Sequence, residues 1–368
     1  MKFSRRVQHI DISGIRKAFE AAGSDAINLG LGQPDFDTPE HIKHAAIRAI
    51  KDGFTGYTEN KGTLELREAV TEKFRRENKI NTAPDQIIVT AGASEALHLA
   101  LQAIIEQGDE VLIPDPGFVS YNALTRIAEG KPVSLPLSKN CTVTPGKMAE
   151  QITPHTRALI INSPANPTGA VQTEEETRGI CELAEDYNLT IISDEVYEHL
   201  IYEGKHVSPA QYTDNVITIN ATSKTYAMTG WRIGYTTAPS EVIEEMIKIH
   251  QYAQACATSI SQKAALAALT GPQDCIREMR EEFKIRRDIL TTALQEMNIE
   301  CTRPKGAFYT FPKITNAEKV VQQLLQRGVI TTPGTAFGRR GSEHIRFSYA
   351  TTQENIQKAV SIMREILK

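Results

Sequence analysis

The sequence predicts an α/β protein: a doubly wound, mostly parallel sheet in a large domain, with a smaller α+β domain after it. Three observations point there. From about residue 64, short β-rich apolar runs alternate with amphipathic helical stretches, the rhythm of βαβ units. Several runs are apolar nearly throughout, as strands covered on both faces are. From about residue 240 the rhythm changes to long helical stretches and isolated short strands.

Taken in order, the runs are QIIVT (86–90), EVLIP (110–114), PVSLPL (132–137), RALIIN (157–162), LTIISD (189–194), NVITIN (215–220) and RIGYTTA (232–238). Between the first two lies SEALHLALQAIIEQG, a helical pattern that Gly108 should end. One long helical stretch is expected over about 240–298. Short strands follow at AFYTF (307–311) and HIRFSY (344–349), then a terminal amphipathic helix over about 352–367. Its SIMREIL segment reads as a core-facing stripe. The expected division is a large domain over 36–271, closing at Gly271-Pro272 where a helix should stop, and a small domain over 272–368 joined by residues 1–35.

Composition excludes several classes. The 368 residues carry 41 Lys+Arg against 45 Asp+Glu, a net charge of −4 without a basic run, which argues against nucleic-acid or anionic-membrane binding. No apolar run reaches the ~18–20 residues of a membrane span. The polar start, MKFSRRVQHIDISGIRKAF, lacks a signal-peptide stretch. Five dispersed cysteines without a CxxC pair read as reduced thiols, so a cytoplasmic protein is expected. GLGQPD begins like a dinucleotide fingerprint, but Pro34 and Asp35 stand where the third glycine and helix belong; no P-loop motif occurs. His41 and His44 share a helix without further ligands in a motif, so no metal is expected.

In doubly wound sheets, ligands bind beyond the carboxyl ends of the strands. QIIVT is followed by Ala91-Gly92-Ala93-Ser94 and a helix, a glycine turn whose free N–H groups suit a phosphate. RALIIN leads into SPANPTG, with Asn166 on a proline-bounded turn. LTIIS runs into Asp194, with Tyr197 close behind, and NVITIN is followed by Ala221-Thr222-Ser223-Lys224, with Arg232 further on. Each alone has a bland reading as turn former, helix cap or surface charge. Together they deliver an anion site, an amide, a carboxylate and an amine to one edge. Pyridoxal phosphate needs all of these: a lysine for its aldehyde, a carboxylate to keep the pyridine nitrogen protonated, and a pocket for its phosphate. Tyr197 and Asn166 would hydrogen-bond the ring's phenolic oxygen. Lys224, freed by the substrate, would be the base acting at the substrate Cα.

SPANPTG, ISDEVY and SKTYAMTGWRIGY, in this order, resemble the signatures of class I aminotransferases of PLP fold type I. GLGQPDFDTP (30–39), GYTENKGTLELREA (56–69), PKGAFYTFP (304–312) and IRFSYA (345–350) extend the likeness over nearly the whole chain, most like prokaryotic enzymes of the aspartate and aromatic type. The resemblance implies that Lys224 carries the cofactor and Asp194 binds the pyridine nitrogen, while Tyr197 and Asn166 hold the phenolic oxygen. Arg232, Ser223 and the amides of Ala93 and Ser94 would grip the phosphate, and Phe118 would stack on the ring. Arg346 would clamp the substrate α-carboxylate bidentately, which lysine cannot reproduce, supported by the Gly32 backbone and bordered by Phe118 and Asn166. Tyr57 would reach the phosphate of the neighbouring subunit, so the implied active unit is a homodimer. Asn166-Pro167 would be cis, as in the family turn.

Two departures matter. Where members of the family often carry a serine as phosphate ligand, position 221 is Ala, which throws weight onto Arg232, Ser223, Thr222 or the partner's Tyr57. Some aspartate-specific relatives place a lysine where this chain has Ser94, and others take an arginine from the partner subunit near the equivalents of Thr258 and Ser259. No arginine occurs between Arg232 and Arg277; Arg16, in the N-terminal segment that often folds over the site in this family, is a substitute candidate for reading a distal carboxylate. The expected function is a PLP-dependent aminotransferase of ping-pong type, with aspartate favoured as donor and 2-oxoglutarate as acceptor. An aromatic donor comes next. A C–S β-lyase on the same fold is the rival enzyme, and a sensor domain without turnover is disfavoured because only about thirty residues precede GLGQPD.

Overall fold

The structure, a computed structural model, describes residues 3–8, 10 and 26–367; Arg16 lies outside the described residues. A seven-stranded sheet forms its centre. The strands are β2 (Ile87–Thr90), β3 (Glu110–Asp115), β4 (Lys131–Pro136), β5 (Thr156–Asn162), β6 (Thr190–Asp194), β7 (Val216–Ala221) and β8 (Gly234–Thr237), in the order β2-β8-β7-β6-β5-β3-β4. Neighbours from β4 to β7 pair in parallel, whereas β8 runs antiparallel to both β7 and β2. The sheet is thus mostly parallel with one reversed strand.

The near-continuous apolar runs have a simple cause. Side chains alternate between faces, and each face has its own cover. Ile113, Ile160, Ile192 and Ile217 point to a cluster with Leu97 and Leu101 of the helix Ala93–Ile104 and Met246 of the helix Ser240–Ala253. Leu112, Leu159, Ile161 and Ile191 pack on the other side with Met148, Ile180 and Ala184. Each such side chain contributes about 1.5–3 kcal/mol by leaving water.

The helix after β2 ends at Ile104 rather than at Gly108, which instead takes a positive φ in the following turn. The stretch expected as one long helix is three: Ser240–Ala253, Ser259–Thr270 and Asp274–Glu296. Ala255, at φ 63°, breaks the first join. Gln262 stabilises that break by donating to the Ala257 carbonyl at 2.8 Å while accepting from Thr63 N at 2.8 Å. The second join is Gly271-Pro272, beyond which the 23-residue helix packs Phe283, Leu290 and Leu294 against Ile356, Ala359 and Met363 of the terminal helix Gln353–Ile366.

Two small sheets complete the fold. β1 (Ile27–Asn28) pairs in parallel with β10 (Val329–Ile330). β12 (Ile345–Ser348) lies between β11 (Thr332–Pro333) and β9 (Tyr309–Thr310), antiparallel to both. β1 thereby brings Gly30 and Gly32 beside Arg346, whose guanidinium donates to the Gly30 carbonyl.

Candidate active site

A cavity of about 450 Å³ opens at the carboxyl ends of β5, β6 and β7, roofed by residues around β1, β9 and β12. Register explains the convergence: Asn162 lies beside Asp194, and Asp194 beside Ile219, two residues before Ala221. Lys224, Asp194, Tyr197, Ala93, Ser94, Phe118, Asn166, Ser223, Arg232, Gly32 and Arg346 all line this cavity. Tyr57 does not; it is 90% exposed, away from the cavity of its own chain. Thr222 is also turned away, buried with its hydroxyl 3.5 Å from the Ile233 carbonyl, and Thr229 lines the cavity instead.

The anion end follows from backbone geometry. Gly92 has φ +83°, and a Cβ there would strike the Arg232 guanidinium, so only glycine lets that cation lie over the turn. Arg232 donates to the carbonyls of Thr229 (2.9 Å) and Ala91 (3.3 Å). The helix opening at Ala93 has no side-chain cap, and while the Glu95 N–H donates to the Gly92 carbonyl, those of Ala93 and Ser94 remain available beside that cation.

At the centre, Lys224 Nζ donates to the Gly32 carbonyl at 2.6 Å. Burial, with the positive charges of Arg232 and Arg346, lowers its pKa to about 8. Asp194 is pushed the other way, up to about 6, by burial, although its carboxylate accepts from the Tyr121 hydroxyl at 2.7 Å. The Asn162 amide closes the floor, donating to the Asp194 carbonyl (2.9 Å) and accepting from Asn166 N (2.8 Å). The Asn166–Pro167 bond is cis.

At the roof, Arg346 is 1% exposed, packs against the rings of Tyr309 and Phe337, and donates to Asn166 Oδ1 at 2.9 Å. Its Nε is buried without any hydrogen-bond partner. A buried guanidinium with a free N–H calls for an anion.

Beneath the Asp194–Tyr197 turn lies a second polar cluster. Lys73 donates to Asn78 Oδ1 at 2.7 Å and to Glu198; Glu198 accepts from Asn220, and Glu195 accepts from His206 at 2.7 Å. Burial would raise the Glu198 pKa, but Lys73, His199 and His206 outweigh it and hold the carboxyl well below its ordinary range. Glu195, Glu198 and His206 lie close enough to share a metal ion, yet the Lys73 ammonium already sits against Glu198. The cluster pins the strand ends that carry the site.

Sequence reasoning missed three side chains. Tyr121 stands one helical turn after Phe118 and could have been found by that spacing. Asn162, the last residue of its strand, and Tyr309, inside the quoted PKGAFYTFP, gave no local signal of a role.

Fold and site define a class that comparison makes explicit: the chain belongs to the class I and II aminotransferases, whose family profile, "Aminotransferase class I and II", matches residues 24–363. It is 49% identical over 374 residues to the "Probable aspartate aminotransferase" of Methanocaldococcus jannaschii, covering 99% of this chain and 100% of that one. It is 41% identical to "Aromatic-amino-acid aminotransferase 2" of Thermococcus litoralis, covering 100% and 99%. The solved structure of the Thermus thermophilus aspartate aminotransferase with maleate superposes with a TM-score of 0.95 at 39% identity, covering all of both chains.

Proposed function

We propose that this aminotransferase uses pyridoxal phosphate and transfers the amino group of aspartate to 2-oxoglutarate by a ping-pong mechanism, as a cytoplasmic homodimer. The observation that carries the cofactor is the convergence on one cavity of Lys224, Asp194 and the Arg232-flanked helix start. The fit is chemical: an amine with a lowered pKa for an aldehyde, a buried carboxylate lacking a cation for a protonated pyridine nitrogen, and free N–H groups beside a guanidinium for a phosphate. Ser223 would join the phosphate grip, Phe118 would cover the ring, and Tyr197 and Asn166 would hold its phenolic oxygen.

When bound, the cofactor supplies an aldehyde for the substrate amine and a protonated ring that withdraws the electron pair left at Cα. The protein's own residues do the rest. Arg346 binds the α-carboxylate common to amino acid and oxo acid, so one site serves both substrates in turn. Lys224 removes the Cα proton and delivers it to the opposite carbon of the reacting pair. A pKa near 8 keeps a working fraction of free amine at neutral pH. Asp194, ionised once it faces a cation, holds the ring nitrogen's proton in place.

We read residues 36–271 as the domain that holds the cofactor, and 272–368 with 1–35 as the one that brings Arg346 and Tyr309 over it; the β1–β10 pairing supports the joining of the N-terminal segment. Exposed Ile47, Ile50, Leu64, Tyr252 and Tyr57 support a homodimer in which Tyr57 serves the neighbouring site.

Aspartate rests on the names of the relatives at 49% and 39% identity. An aromatic donor is the second reading, favoured by the apolar lining of Leu31, Leu97, Phe118 and Val119 and by the aromatic-acid relative. The test is the visible spectrum of the cofactor-loaded protein titrated with single amino acids and no oxo acid. Stoichiometric conversion to the aminated cofactor by aspartate is expected. Conversion by aromatic amino acids alone would move the donor, and no conversion by any amino acid would overturn aminotransfer.

A further inference from the structure

Tyr309 occupies the seam between the two ends of the site. It sits on β9 opposite Ser348 of β12, two residues from Arg346, and is 1% exposed. Its hydroxyl lies 2.7 Å from that of Tyr197, and among the described residues each hydroxyl has the other as its hydrogen-bond partner. Its ring centroid lies 4.5 Å from the Arg346 guanidinium carbon, and that of Phe337 lies 4.8 Å from the same carbon. It also presses on Gly32, where a Cβ would collide with the Tyr309 hydroxyl. Position 32 therefore has to be glycine for the Tyr197–Tyr309 bond to form, and the same residue's carbonyl accepts from Lys224.

We infer that Tyr309 is a positioning residue whose hydroxyl aims the Tyr197 hydroxyl into the cavity while its ring seats Arg346. Two phenols 2.7 Å apart share one proton between them and leave the other for a third partner. With Tyr309 as donor, the Tyr197 proton is the free one, and an O–H that already accepts a hydrogen bond is a stronger donor. The other groups facing Tyr197 do not compete for this role. Asp194 is taken by Tyr121, Lys224 Nζ lies 6.0 Å from the Tyr197 ring centroid, and Arg346 acts on both phenols through its charge. The ring's second task is geometric: together with Phe337 it packs on the guanidinium and holds it at the cavity for a carboxylate.

The inference rests on the pyridoxal phosphate reading, and its test separates the two. The readout is the pH midpoint of the visible absorbance of the reconstituted protein. Tyr309→Phe keeps the ring and loses the hydroxyl. It should raise the midpoint by about 0.5–1 unit, a three- to tenfold change in the protonation equilibrium, because the phenolic oxygen loses part of its donor. Tyr197→Phe should raise it at least as far, and Tyr197→Phe/Tyr309→Phe no further than Tyr197→Phe alone, since Tyr309 acts through Tyr197. Tyr309→Leu, which also loses the ring, should in addition weaken succinate binding by roughly 3- to 30-fold, whereas Tyr309→Phe leaves it unchanged. A Tyr309→Phe midpoint equal to the parent's, or shifts that add in the double variant, would overturn the proposal. A parent protein without any pH-dependent visible band would overturn the cofactor reading beneath it.

Discussion

Asp194→Asn should make the cofactor-free protein more stable, and increasingly so as pH rises. Asp194 is 4% exposed, and burial lifts its pKa from 3.8 in the unfolded chain to about 6. The folded value is the higher one, so between these limits the folded chain holds a proton that the unfolded chain has released. Stability therefore falls as pH rises through the window, and the loss is complete above it. At about 1.36 kcal/mol per unit, the loss approaches ~3 kcal/mol at pH 7.5 and is about half that at pH 5. Asparagine carries no charge; its Oδ1 can accept from the Val196 amide while its Nδ2 donates to the Tyr121 oxygen, replacing the two carboxylate oxygens that accept from these groups. Lys224 draws electrostatic support from Asp194, so ~3 kcal/mol is the upper limit of the gain. Urea unfolding of the stripped parent and variant at both pH values measures the difference directly, because the other titrating groups are shared. Loaded with pyridoxal phosphate, the order should reverse, since asparagine cannot neutralise a pyridinium. A variant less stable than the parent at pH 7.5, or a difference that does not change with pH, would refute the claim that Asp194 is held at a cost in the empty site.

Arg346→Lys should lower kcat/KM for any amino donor by roughly 30- to 1000-fold while leaving cofactor absorbance intact, because a point charge cannot replace a buried bidentate fork; steady-state kinetics beside the visible spectrum check both halves. Lys73→Met should cost about 3–5 kcal/mol by stranding Glu198 in the core, as seen in urea unfolding. The Glu198 pKa lies below its ordinary 4.5, so the stabilisation it provides is present above that pH and lost as pH falls through the folded value. The Lys73→Met penalty should shrink accordingly in acid, and adding Glu198→Gln should recover part of it at pH 7.

Seven strands were legible because their interior positions have no polar escape. Ile191 and Ile192 face different clusters, so both must be apolar and the run shows in the sequence. The reversal of β8 was not legible. GYTT pairs with β7 and β2 equally well in either direction at the level of pattern, and its sense is decided by the Lys224 loop that returns the chain. The break after Ala253 was hidden for a related reason: it is held by Gln262 reaching to Thr58, Thr63 and Ala257, the first two 204 and 199 residues away. Asp194 and Lys224 stood out because a charge at or just beyond the end of an apolar strand is visible locally, whereas Arg346, inside β12, came from the family likeness alone. Tyr121 and Tyr309 did not, since a buried phenol reads as core until its hydroxyl is seen to have one specific partner, at |i−j| of 73 and 112.

The charged groups of the cavity share a direction. Burial drives Lys224 toward the neutral amine and Asp194 toward the neutral acid, depresses the Arg346 pKa, and leaves an Arg346 N–H without an acceptor. A chain selected for stability alone would replace such groups with apolar ones of the same volume. The sheet tolerates them because the neighbouring charged groups are paired: Lys73 and Asn220 bind Glu198, His206 binds Glu195, and Asn162 ties the Asn166 turn to the Asp194 strand. Lys224, Asp194 and Arg346 thus meet in one cavity, and together with the Arg232-flanked helix start they are complementary to a ligand with a cationic ring, an anionic tail, an electrophilic carbon and a neighbouring carboxylate. Binding such a ligand offsets, group by group, the destabilisation that folding left there, which turns the site's electrostatic strain into affinity for the molecules on which it acts.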